Sequence, residues 1–181
     1  TIENLAQFEN AGVYYGATFM EAQLCRNEEV VVVGGGNSAG QAAVFLAQSA
    51  KRVHMLVRAK SLVETMSRYL TRRIEQNPAI VLRTNTEIVA LEGSSHLESV
   101  RWRDHQAGNI ETHNIRHVFL MTGAVPGTKW IEGCVTLDAK GFIKTGPDLS
   151  QEDLAAAHWP LARAPHLLET SLPGVFAVGD V

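Results

Sequence analysis

The sequence predicts an α/β protein: a parallel β-sheet with helices on both faces and an antiparallel β-meander, followed by an incomplete segment of a second domain. Three observations point there. The β-branched run Glu29–Val33 passes through a glycine-rich turn into a helical pattern and then into a second apolar strand, Arg52–Val57. That order builds a right-handed crossover and a parallel sheet. Between residues 86 and 114 the helical period gives way to short strand-like runs. Beyond Met121 the periodicity fades into a stretch broken by prolines.

Taken in order, Gly12–Tyr15 reads as a short strand and Thr18–Cys25 as a short helix capped by Thr18. Glu29–Val33 is uninterrupted, as in a strand buried on both faces. Gly34–Ser38 forms the turn. Ala39–Ala50 is then a helix packing through Ala42, Ala43, Phe45, Leu46 and Ala50, with Asn37 or Ser38 as its cap. After the strand Arg52–Val57, the residues Leu62, Met66, Tyr69, Leu70 and Ile74 recur at helical spacing. They predict a helix over Leu62–Glu75, stopped by Asn77-Pro78. Ile80–Arg83 is a third strand. Ile88–Leu91, Val100–Trp102 and Ile110–His113 form the meander, with Asp104–Gly108 as the turn between the last two. His117–Met121 is again strand-like. Prolines at 147, 160, 165 and 173 punctuate the remainder, before a last predicted strand, Val175–Val178. A strand of buried type that runs into Gly179-Asp180 should lead into a further element, so the chain reads as a fragment of a longer protein.

Composition narrows the function. Of 181 residues, 45% are hydrophobic and 19% charged, values of a globular chain that exclude a disordered tail or a fibre. A net charge of −3 offers no general attraction to nucleic acid or anionic lipid. No apolar run approaches the roughly 18 residues that a membrane-spanning helix needs. Neither nucleic acid nor a membrane is therefore an expected partner. Cys25 and Cys134 are isolated, which fits a reducing, cytoplasmic setting rather than a disulfide scaffold. Seven scattered histidines, with no Cys beside them to complete a ligand set, predict no metal site. No side chain stands out as catalytic acid, base or nucleophile. His54 reads as a packed or hydrogen-bonded strand residue, and Arg68, Arg72 and Arg73 as a solvated helix face.

The chemistry concentrates in the turn. Gly34, Gly36 and Ala39 make G-x-G-x-x-A between strand and helix. The first glycine permits the tight turn, the second lets the backbone approach a pyrophosphate, and the small third residue lets helix and strand pack closely. Gly35, Asn37 and Ser38 complete a turn whose N–H groups and helix dipole favour a phosphate. Arg58 stands about 24 positions after Gly34, where a dinucleotide's adenosine ribose should lie, and no acid follows until Glu64. A guanidinium at that point suits a 2′-phosphate. Lys60 adds charge. The pattern therefore predicts a Rossmann-like site that prefers NADPH over NADH.

Three stretches in order, GGGNSA at 34–39, Met121–Pro126, and Thr170 through Pro173–Asp180, resemble the pyridine nucleotide–disulfide oxidoreductase family and its thioredoxin reductase branch. The resemblance implies an NADPH-binding domain at 1–124 and, at 125–181, the return segment of a split FAD-binding domain whose other parts are absent. It places Gly123 on the nicotinamide side of the cleft and Gly179 and Asp180 at the flavin's ribityl–phosphate region. It also implies a homodimer. The branch carries a Cys-Ala-Thr-Cys dithiol where this chain has Gly16-Ala17-Thr18-Phe19. Gly16 and Phe19 cannot exchange disulfides. The branch's second 2′-phosphate arginine aligns near Val63. The expectation is an FAD-dependent NADPH oxidoreductase that passes electrons from reduced flavin to a small-molecule or protein acceptor without a local dithiol. Two alternatives stay open: a thioredoxin reductase whose dithiol lies outside this chain, and a non-enzymatic module that senses NADPH.

Overall fold

The computed structural model describes residues 2–123, 125–179 and 181. The chain falls into two compact units, Thr1–Thr122 and Gly123–Val181.

The first unit is built on a five-stranded parallel sheet. Its strands are β1 (Val13–Tyr14), β2 (Glu29–Val33), β3 (Arg52–Leu56), β4 (Ile80–Arg83) and β8 (Val118–Leu120), in the order β1-β8-β2-β3-β4. All pairs are parallel, with Val31 opposite both His54 and Val118. Strands β5 (Thr86–Gly93), β6 (Leu97–Asp104) and β7 (Ile110–His113) form a separate antiparallel sheet, the meander that the sequence predicts. Side chains alternate across the parallel sheet with period two. Val30, Val32, Val53, Met55 and Phe119 point to one core, with Ala39, Ala42, Ala43 and Leu46. Val31, Leu56, Val118 and Leu120 point to another, with Ile88, Leu91, Val100 and Trp102 of the antiparallel sheet. The uninterrupted valine run of β2 is thus explained, since Val30, Val31 and Val32 are all fully buried.

The α/β class stands, with one difference in layering. The helices α1 (Phe19–Leu24), α2 (Asn37–Leu46) and α3 (Arg68–Glu75) all contribute to the first core. The opposite face is covered by the meander rather than by helices. Alternating apolar positions in β5 and β6 supply an apolar face, which does what a helix would do there.

Helix ends also differ. Helix α2 starts two residues earlier than expected, and its cap is Gly36 without a side-chain cap bond, not Asn37 or Ser38. It ends at Leu46, after which Ala47–Ala50 continue as turns. Helix α3 is shorter than Leu62–Glu75. It begins after Ser67, whose hydroxyl accepts from the Leu70 N–H, and residues 62–66 form a turn instead. Leu62, Met66, Leu70 and Ile74 are buried as the spacing implies, whereas Tyr69 is exposed. Arg72 and Arg73 lie in the last turn of α3, where the helix dipole favours cations. Thr18 caps α1 through a capping box with Glu21.

In the second unit, α4 (Gln151–Ala156) is a helix that the sequence reading missed, started by a capping box of Ser150 and Asp153. The predicted strand Val175–Val178 does not form; Phe176 makes one isolated antiparallel bridge, to Glu169. The Glu169 carboxylate is fully buried and organises this region. It accepts both guanidinium ends of Arg163 (2.7 and 3.0 Å) and the N–H groups of His166 (2.7 Å) and Gly174 (2.8 Å). These donors, Arg163 foremost, hold its carboxyl well below the usual carboxylate range.

Candidate dinucleotide-binding site

The glycine turn joins β2 to α2, and the three glycines do different work. Gly34 has φ +143°, and a Cβ there would meet the Met121 carbonyl oxygen at 2.4 Å and the Ala39 Cβ at 3.0 Å. Its N–H donates to Leu56 O (3.1 Å), and Met121 N–H donates to Val33 O (2.8 Å). The turn is thereby clamped between the ends of β3 and β8. Gly35 is close-packed as well: a Cβ would lie 3.1 Å from Val57 and 3.5 Å from the Thr65 hydroxyl. At Gly36, by contrast, a Cβ would meet nothing within 4 Å. Among the described residues its N–H has no acceptor. The open side of the turn, at the N-terminus of α2, is where an anion fits. Ala39 is fully buried, and Asn37 and Ser38 are exposed.

The segment after β3 is laced to this turn. The Thr65 hydroxyl donates to Gly35 O (2.7 Å), and the Ser67 N–H donates to Asn37 Oδ1 (2.8 Å). Asn37 therefore uses its side-chain oxygen to hold the start of α3, not to cap its own helix. Arg58 sits between two backbone anchors: Val57 N–H donates to Arg83 O (2.9 Å), and Asn85 N–H donates to Ala59 O (3.1 Å). The side chains of Arg58 and Lys60 are exposed and, among the described residues, ion-paired to no carboxylate. A fixed backbone carrying two free cations beside a phosphate-competent turn can take a dinucleotide with an added phosphate. Thr65 and the Met121 carbonyl escaped the sequence reading. The only available signal was the glycine pattern itself, because both act across long sequence separations.

The structure brings Gly34–Ala39 together in one turn and keeps Arg58 and Lys60 on the loop that is tied to it. Gly123 is exposed with φ +102°. Gly179 is exposed with φ +88°, and Asp180 lies outside the described residues. The open groove of about 360 Å³ between α2 and α3, lined by Gln41, Phe45, Tyr69 and Arg73 among others, shares only Asn37 with the glycine turn. Arg73 is directed to the Tyr69 hydroxyl (3.2 Å). Gly16 has open space around it, and Phe19 is 71% exposed. Cys25 is buried at the end of α1, and burial pushes its thiol up to about 11.

His54 is buried at 4% exposure, as a packed strand residue. Its Nε2 hydrogen-bonds Glu29 (3.0 Å), while its Nδ1 has no partner among the described residues. It lies against Trp102 and His113, with Arg83 over the Trp102 ring. Desolvation first, opposed by Glu29, lowers its affinity for a proton. This cluster belongs to the seam between the two sheets. No helix is long and apolar enough to cross a membrane among the described residues.

Comparison with known proteins adds the wider frame. The family model for pyridine nucleotide-disulphide oxidoreductases matches residues 4–181. A thioredoxin reductase of Eremothecium gossypii is 34% identical over 157 residues, covering 86% of this chain and 43% of that protein. A thioredoxin reductase of Chlamydia pneumoniae is 32% identical over 156 residues, covering 86% of this chain and 44% of the other. Among solved structures, the thioredoxin reductase of Lactococcus lactis superposes with a TM-score of 0.74 at 22% identity, over 99% of this chain and 52% of its own. The chain thus spans less than half the length of these two curated relatives.

Proposed function

The chain belongs to the pyridine nucleotide-disulphide oxidoreductase family, and from that premise we propose that it is the NADPH-binding part of an FAD-dependent oxidoreductase, with a portion of the flavin domain following it. The observation that carries the reading is the pairing of an open Gly36, with its free N–H, and an exposed Arg58 on a backbone-anchored loop. Gly34, Gly35, Gly36, Asn37, Ser38 and Ala39 form the pyrophosphate turn: Gly34, Gly35 and Ala39 pack it in place, and Gly36, Asn37 and Ser38 meet the ligand, chiefly through backbone N–H groups and the dipole of α2. Arg58 and Lys60 face the 2′-phosphate. Gly123 lies on the nicotinamide side, and Gly179 and Asp180 belong to the flavin region.

When bound, the nicotinamide supplies a hydride and the flavin accepts it. The residues of this chain bind and orient; none is offered as an acid, base or nucleophile. Gly16 and Phe19, in place of a dithiol, offer no local disulfide, so a bound flavin would pass its electrons directly to a small-molecule or protein acceptor. The unbridged cysteines suit a cytoplasmic enzyme, and the family resemblance suits a homodimer. A second reading is favoured by the thioredoxin reductase relatives: reduction of a disulfide by a dithiol elsewhere in the full-length protein.

Calorimetric titration with NADPH and NADH tests the binding step. Binding of NADPH at least about tenfold tighter, equivalent to about 1.4 kcal/mol, is the expected result. Equal binding removes the 2′-phosphate role of Arg58, and absence of binding removes the dinucleotide site. Turnover of thioredoxin by the intact protein, inhibited by thiol alkylation, would replace direct transfer with the second reading.

A further inference from the structure

We propose that Thr65 is a positioning residue that aims the Gly36 N–H at the ligand's pyrophosphate. The inference rests on the dinucleotide reading above and extends it to a residue outside the glycine motif. The Gly35 carbonyl and the Gly36 N–H belong to one planar trans peptide unit and so point in opposite directions. The Thr65 hydroxyl donates to that carbonyl at 2.7 Å. Holding the oxygen on the Thr65 side turns the N–H to the opposite side, where it meets no acceptor among the described residues. The same bond polarises the peptide and strengthens its N–H as a donor.

Glycine needs this restraint more than another residue would. Its backbone has no side chain to limit rotation, and two successive glycines form the peptide in question. Thr65 is itself well held. Its N–H and that of Met66 both donate to Leu62 O (3.2 and 2.9 Å), and the Leu62 and Met66 side chains on either side are buried. Met66 fills the space beside Gly40, where a Cβ would lie 2.8 Å from its sulfur. The hydroxyl is thus delivered by a turn that is anchored on α2. Arg58 and Lys60 precede this anchor on the same loop, so one segment serves both ends of the ligand: cations for the 2′-phosphate and Thr65 for the pyrophosphate.

The two roles separate in an experiment on the full chain. NADPH and NADH are titrated by calorimetry into the wild type, T65V, T65S and R58Q, with melting curves for each. The pyrophosphate is common to both nucleotides. T65V, which keeps the shape and removes the hydroxyl, should therefore weaken both by the same factor, about five- to tenfold for the impaired hydrogen bond to a charged group. T65S should bind as the wild type does. R58Q should change the ratio between the nucleotides instead. In the ligand-free protein, the Gly36 amide proton resonance should move in T65V and stay in T65S. Wild-type affinity in T65V, a loss confined to NADPH, or T65S behaving like T65V would overturn the role of the hydroxyl. Failure of the wild type itself to bind either nucleotide would overturn the dinucleotide reading instead.

Discussion

Gly34 and Met121 approach so closely that a methyl group on the glycine would lie 2.4 Å from the methionine's carbonyl oxygen. Two residues on, a methyl group on Gly36 would meet open space. Neighbouring positions of one motif therefore answer different demands, and substitution separates them. Gly34→Ala should destabilise the first unit by about 2–4 kcal/mol, through a strained positive φ and overpacking. Gly36→Ala should leave stability nearly unchanged and reduce NADPH affinity. Urea unfolding together with calorimetry checks both. Equal stability losses for the two variants would contradict the assignment of Gly34 to packing and Gly36 to the ligand.

Arg58 is expected to read the 2′-phosphate alone. Arg58→Gln should weaken NADPH binding about tenfold, the order of a partly exposed charge-assisted hydrogen bond, and leave NADH unaffected. The difference should shrink as salt rises, because exposed charges are screened. A parallel loss for both nucleotides would move Arg58 out of the phosphate-selective role.

His54 makes stability depend on pH. Its folded-state proton affinity is lowered, by burial before all else and by Arg83 and His113, with Glu29 opposing. The unfolded chain then binds more protons than the folded one just below the ordinary imidazole value of about 6.5. Stability is accordingly complete above that pH and declines as pH falls towards the lowered folded value. Glu29 acts in a separate range, because its own carboxyl is held down, first by the His54 bond. Its contribution is lost only in acid below the ordinary carboxylate range. His117 is shifted in the same direction as His54, also by burial. His54→Asn should therefore reduce, without abolishing, the fall in urea midpoint between pH values of about 7.5 and 5.5, which bracket the ordinary imidazole range. An identical pH profile in the variant would refute this account.

The two cysteines should differ sharply in reactivity. Cys134 is exposed, whereas Cys25 is buried with its thiol pushed up to about 11. The thiolate is the reacting form. Iodoacetamide at neutral pH should modify Cys134 quickly and Cys25 only after denaturation, as read by mass spectrometry. Rapid double labelling of the native protein would be the contrary result.

Much of the first unit was legible in the sequence because its signals are local. The valine run of β2, the glycine turn and the capping residue Thr18 all act within a few positions. The meander was legible from its short strand-like runs and the turn between them. What escaped depends on distant partners. Leu62 and Met66 carry helical spacing and are buried as that spacing demands, but Thr65 between them bonds Gly35, 30 residues away, and the segment turns instead of coiling. Asn37 looked like a cap and is a tether to Ser67. Val175–Val178 has strand composition without a ladder to join. In the candidate site, the glycine turn was readable from spacing, whereas the hydrogen bond from the Thr65 hydroxyl to Gly35 was not.

Strand β8 lies between β1 and β2, although it is the last of the sheet's strands in sequence. During synthesis, β2, β3 and β4 can assemble with α2 and α3 as soon as they emerge. β1 must wait, because its pairing partner is Val118–Leu120. At about 5–20 residues per second, the growing protein spends several seconds with one edge of β2 unpaired and its valines lacking a neighbour. That interval is when the nascent sheet is most open to pairing with another chain.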